Sequence, residues 1–121
     1  FLLGSLLSSM HAYSAQTFEK RISSDMDDVE EKSNGRMYTT SSDLELTYDG
    51  NEQTVGLRYT RVTIPQGATI TNAYVQFTTD ETNSGATSLT IRAEDENNAS
   101  AFSESRYNVS SRRQTAAAVN W

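Results

Sequence analysis

Residues 53–77, QTVGLRYTRVTIPQGATITNAYVQF, constrain this chain most, because they hold two alternating segments separated by a Pro-Gln-Gly turn. Val55, Leu57 and Tyr59 fall on one side of the first segment, and Gly56, Arg58 and Thr60 on the other. That is the period-2 pattern of a half-buried strand. In the second segment Ala73, Val75 and Phe77 alternate with Asn72, Tyr74 and Gln76. Pro65 suits a strand end, where a missing N–H costs no ladder bond, and Gly67 suits a turn that requires positive φ. The two apolar rows are therefore the expected core, and any function of this pair belongs on its other side.

The same grammar extends in both directions. Leu44, Leu46 and Tyr48 alternate with Asp43, Glu45 and Thr47, and Asp49-Gly50-Asn51 is a hairpin signal. The pattern pairs 43–48 antiparallel to 53–60. Residues 88–94 alternate again, with Leu89, Ile91 and Ala93 opposite Thr90 and Arg92. Between them DETNSGA, residues 80–86, is a polar connection. Upstream, residues 17–22 suit a first strand, and SSDMDDVEEK at 23–32 carries five carboxylates. Such a charged run reads as a solvated loop entering an edge strand, and Ser33-Asn34-Gly35 as the turn after it. Ser100 to Ser105 is the one candidate helix, with Asn98 as its cap. Short, regularly recurring strands with no helical run of useful length predict an all-β fold, an antiparallel β-sandwich of jelly-roll type. Apolar residues rise again in AAAVNW at 116–121. A full jelly roll needs more strands than these, so the sandwich is expected to be incomplete at its C-terminal end.

A chain of 121 residues fits one domain and can bury a core without staples. FLLGSLLSSMHAYSA at the start is an apolar run ending in small residues, as at the h-region and cleavage site of a secretory signal peptide. Residues 1–15 are read as a signal-peptide remnant and 16–121 as the β-domain. A pilin stem would need a longer apolar helix with an acid near its start, but residue 5 is Ser. The absence of cysteine excludes disulfides and fits a secreted or surface protein of bacterial type. A net charge of −6 argues against nucleic acid as a partner. Once the signal segment is removed, no membrane insertion is expected.

DDVEE, then Gly35, then SSDLEL, then VGLRYTRVTIPQGATITNAYVQF follow the order of a known module. The chain resembles the DNRLRE-type, carbohydrate-binding-module-like β-sandwich domains of secreted bacterial proteins over about residues 25–80. The family's early Asp-rich strand corresponds to Asp28, its L-x-L strand to Leu44–Leu46, its L-R-F strand to Leu57–Tyr59, and its I-P-x-G-A-x-I turn to Ile64–Ile70. Tyr59 stands where the family has Phe. The resemblance implies a noncatalytic accessory domain, with polysaccharide or neighbouring domains of the same protein as partner.

Little in the sequence speaks for catalysis. The one histidine, His11, lies in the signal-like segment, so triads, Cys-His pairs and zinc sites are closed off. Asp43 and Glu45 share a strand side about 7 Å apart, the spacing of an inverting glycosidase, but an exposed acidic strand is the commoner arrangement. Asp25, Asp27, Asp28 and Glu30 offer the hard oxygens calcium prefers, although no EF-hand glycine sits among them. The other reading of the run is an acidic edge that discourages aggregation. Arg58, Tyr74, Gln76 and Arg92 are the ligand-binding candidates, since rings stack on sugar faces and guanidinium forks grip oxygens. Cross-strand pairing alone also accounts for such residues. Ser110-Ser111-Arg112-Arg113 is read as a loop or interdomain contact, and Asn98-Ala-Ser and Asn108-Val-Ser match the glycosylation sequon. Beside polysaccharide binding stands a second function: a structural, adhesive or self-assembling surface domain working through an open sheet edge.

Overall fold

The computed structural model describes residues 14–82 and 84–121. The segment 1–15 expected to be a signal-peptide remnant lies almost wholly outside the described residues, with Ser14 and Ala15 exposed and without regular structure. The described chain is all-β and antiparallel, and no helix in it is long and apolar enough to cross a membrane. A 3-10 turn at Asp25–Asp27 leads into β1 (Asp28–Lys32), followed by β2 (Met37–Tyr38) and β3 (Gln53–Leu57). These three form one sheet in the order β2-β1-β3. Further on, β4 (Thr90–Ile91) and β5 (Val119–Asn120) form a second, two-stranded sheet.

The acidic run enters through non-strand residues 23–27 as expected, but the strand it runs into is not an edge. It becomes the central strand, with Asp28 opposite Leu57, Glu30 opposite Val55 and Tyr38, and Lys32 opposite Gln53. Gly35, at φ 80°, closes the β1–β2 turn by donating its N–H to the Lys32 carbonyl at 2.7 Å. Only glycine adopts that φ without steric cost.

The alternation of β1 sends its side chains to two differently covered sides. Val29 and Glu31 share one side with Met37 and Gly56, against the irregular stretch 102–112, where Val29, Met37, Phe102 and Val109 form the core. Val29 is 1% exposed. Gly56 lies so close to this stretch that a Cβ there would sit 2.8 Å from the Phe102 ring and 2.9 Å from Val109. On the other side, Glu30 and Lys32 meet residues 45–49: Glu45 N donates to Glu30 Oε1 at 2.9 Å, and Lys32 pairs with Asp49. Arg112 ties the 94–112 region together. Its guanidinium lies 4.5 Å from the Phe102 ring centre, pairs with Glu94 at 2.9 Å and donates to the Ser100 and Ala101 carbonyls.

Several expected strands take another form. The 43–48/53–60 hairpin reduces to one bridge, Tyr48 with Glu52, plus Gln53 N–H to the Thr47 carbonyl at 2.8 Å, while the ladder of β3 is made with β1. Residues 73–77 pair with no strand, and 88–94 contributes the two-residue strand Thr90–Ile91 and a single antiparallel bridge from Glu94 to Gln114. The Pro65 turn forms as expected, with Gly67 at φ 82° and Ala68 N–H reaching the Pro65 carbonyl at 3.1 Å. The apolar rows beside it are not the core: Tyr59, Ala73 and Val75 are exposed, and Val55, Leu57 and Phe77 half-buried. Alternation sorts side chains by side, but burial requires a second layer over that side. Residues 100–105 form no helix; Asn108 Oδ1 instead accepts the Ser103 N–H at 2.8 Å, and a turn occupies 106–111.

Candidate binding site

Two buried carboxylates organise the ordered part of the molecule. Glu30 and Glu31 are each 3% exposed, neighbours in sequence on opposite sides of β1. Glu30 Oε1 accepts from Gln53 Nε2 at 2.8 Å as well as from Glu45 N–H. Glu31 Oε2 accepts the N–H groups of Val109 and Ser110 at 2.8 and 2.9 Å. Buried charges persist where hydrogen bonds replace lost water, and both have that compensation. The Glu45 carboxyl is raised above the usual range, first by its hydrogen bond with Glu30, then by burial. Asp28 is raised as well, by burial first and then by the negative charge of Asp25.

The expected metal ligands are accordingly divided. Asp27 is committed to Arg58, with Oδ1 2.8 Å from the guanidinium, and its carbonyl accepts the Arg58 N–H. Glu30 faces Gln53 and Glu45. Asp25 and Asp28 remain beside one another at the start of β1. Among the described residues no three acidic or histidine side chains gather closely enough to hold a metal ion.

The expected ligand-binding residues do not converge either. Arg58 spends its fork on Asp27 and on the Ala99 carbonyl at 3.0 Å. Arg92 caps the carbonyls of Thr115 and Ala116 at 2.9 and 3.0 Å. Gln76 is exposed, and Tyr74, at 77% exposure, is the most solvated large apolar side chain described.

Two other places are concave. The first is a cavity of about 310 Å³ lined by Leu46, Gly85, Thr87, Leu89 and Trp121. Reciprocal backbone bonds between Leu89 and Trp121, at 2.7 and 2.9 Å, fix the tryptophan's main chain there. Its indole stacks on Phe77, with ring centres 6.1 Å apart and planes 7° from parallel, yet remains 64% exposed. The second is a cavity of about 270 Å³ at the end of the β1–β3 pair, lined among others by Glu31, Ser33, Glu52, Thr54, Tyr107 and Ser110. Tyr107 adopts φ 60°, held by its N–H to the Gly35 carbonyl at 2.9 Å, and its ring lies against the Cα of Gly35.

Sequence reasoning missed both places. Phe77 reads as a core residue and Trp121 as a rising apolar tail, while Tyr107 and Ser110 lie beyond the stretch that carries the family resemblance. The single tryptophan was the one available signal. Searches of family models, curated proteins and solved structures find no match to this chain.

Proposed function

We propose that the chain is a noncatalytic binding module of a secreted or bacterial cell-surface protein, part of a jelly-roll β-sandwich, and that it recognises polysaccharide. The observation that carries this reading is the Phe77–Trp121 stack beside an open, uncharged cavity. A fixed, half-solvated indole presents the flat apolar surface on which the C–H face of a sugar ring rests. The −6 charge favours neutral polysaccharides over acidic ones. Incubation with insoluble cellulose, chitin, xylan or mannan is expected to deplete the wild-type protein from solution, and Trp121→Ala to weaken that depletion, with no release of reducing sugar. Retention of the protein in solution with all four would end the reading. Structural calcium belongs to the same proposal: the Asp28 carboxyl is raised by burial first and by the negative charge of Asp25 second, and a cation beside the two would offset both. A rise in Tm at millimolar calcium checks it.

A second reading, a structural or adhesive domain that self-associates, is favoured by the amount of apolar surface in contact with water. Val62, Ile64, Ile70 and Val75 are all more than 40% exposed. Contiguous exposure of that kind marks interaction surfaces. Concentration-dependent mass by light scattering, with no glycan binding, would select this reading over the first.

A further inference from the structure

We propose that the cavity between the end of the β1–β3 pair and the 106–111 turn is a second sugar subsite, taking one ring of a neutral polysaccharide. This rests on the polysaccharide reading and adds to it a site that shares no lining residue with the Phe77–Trp121 stack or its cavity.

The cavity offers what a polyhydroxylated ring requires. Glu31 and Glu52 supply carboxylate acceptors, Ser33, Thr54 and Ser110 supply hydroxyls that both donate and accept, and Tyr107 supplies a ring 47% exposed. Glu31 is held rigidly: it is 3% exposed, with Oε2 fixed by the Val109 and Ser110 N–H groups. Its Oε1 makes no hydrogen bond to protein among the described residues, so an acceptor is left over in a preorganised position.

Tyr107 is the second independent observation. A non-glycine residue at φ 60° is in a sparsely populated conformation that persists only where surroundings impose it. Here the imposing contacts are its N–H to Gly35, the Ser111 N–H to its own carbonyl at 3.1 Å, and Arg106 reaching the Asn34 carbonyl at 2.9 Å. Gly35 admits the ring because a Cβ there would fall 2.5 Å from it. The turn thus fixes the phenol at the cavity wall before any ligand arrives.

The charges select the ligand class. Two carboxylates repel uronates and sulfated sugars, and Lys32, the one base that also lines the cavity, is already paired with Asp49. A neutral ring donates its hydroxyls to those same oxygens.

The test is calorimetric titration of the wild-type chain with neutral hexasaccharides of glucose, xylose, mannose and N-acetylglucosamine. Thr54→Trp, at an exposed position on the Glu31 side of β3, fills the cavity and is expected to abolish binding of whichever hexasaccharide the wild type takes. The double variant Glu52→Gln/Ser110→Ala removes an acceptor charge and a hydroxyl and is expected to weaken binding about tenfold. Its unchanged Tm shows that the fold is kept, and it decides the matter should Thr54→Trp fail to fold. Binding that survives these variants but is lost in Trp121→Ala overturns this subsite and leaves the polysaccharide reading standing. A wild-type chain that binds none of the four overturns both.

Discussion

The corner built from β1, β3 and residues 102–112 and the stretch from Tyr59 to Gln76 carry the same period-2 pattern of side chains, yet they differ in nearly every physical respect. In the corner Val29, Met37 and Phe102 are buried, and even the charged Glu30 and Glu31 have partners. In the stretch Val62, Ile64, Ile70 and Val75 face water, and no strand pairs with 59–76. The corner's apolar side chains Val29 and Met37 have a second layer, delivered by a segment that begins 65 or more residues further along the chain, at Phe102. The stretch has the pattern and lacks the layer. Burial is thus concentrated in the corner, and apolar exposure in the stretch.

Mutations test this contrast most sharply at Glu31. Glu31→Ala leaves two half-buried N–H donors without an acceptor and is expected to cost ~3 kcal/mol in denaturant unfolding. A loss under ~0.5 kcal/mol would mean the corner is no more cohesive than the stretch. Gly56→Ala comes next, since its Cβ meets Phe102 and Val109 within 3 Å; overpacking of that kind costs ~2 kcal/mol.

A smaller effect is expected from pH. Glu45 has a raised carboxyl pKa in the folded state, so its contribution is fully present below the ordinary carboxylate pKa and is lost as pH rises through the elevated folded value. Glu45→Gln donates to Glu30 at every pH, so Tm of this variant should rise relative to wild type as pH climbs from about 4 toward neutrality. Parallel Tm curves for the two proteins would show that Glu30 and Glu45 do not share a proton. Smallest of all, Val62→Ala and Ile70→Ala should change stability by no more than ~0.5 kcal/mol, because nothing packs on them. If either costs more than ~1 kcal/mol, the stretch is covered in solution by a partner or a second copy.

What the sequence made legible was mostly punctuation. The turns at Gly35, Gly50 and Gly67 all have the positive φ that glycine permits, and β3 begins at Gln53, where the first strand of the pair was expected. The all-β class followed from the same signals. The centrality of β1 was not legible, because D-V-E-E-K reads as a solvated run unless one knows that Gln53, Glu45, Val109 and Ser110 stand ready with donors. Those donors come from segments between fourteen and eighty residues away, and no local rule links them. The site suffered the same difficulty. Alternation led to the expectation of Arg58 and Arg92 on one ligand surface, but each fork is satisfied by a carboxylate or carbonyl that sequence alone does not bring near.

The side-by-side glutamates of β1 also act as a ruler. If that strand slid by one residue, Val29 would meet Gln53's side of the sheet and a carboxylate would be driven into the Phe102 ring. If it slid by two, the Val109 and Ser110 N–H groups would find a valine or a serine in place of Glu31. Misaligned versions of this sheet are therefore penalised twice over, once on each side, and the strand has a single alignment that satisfies both.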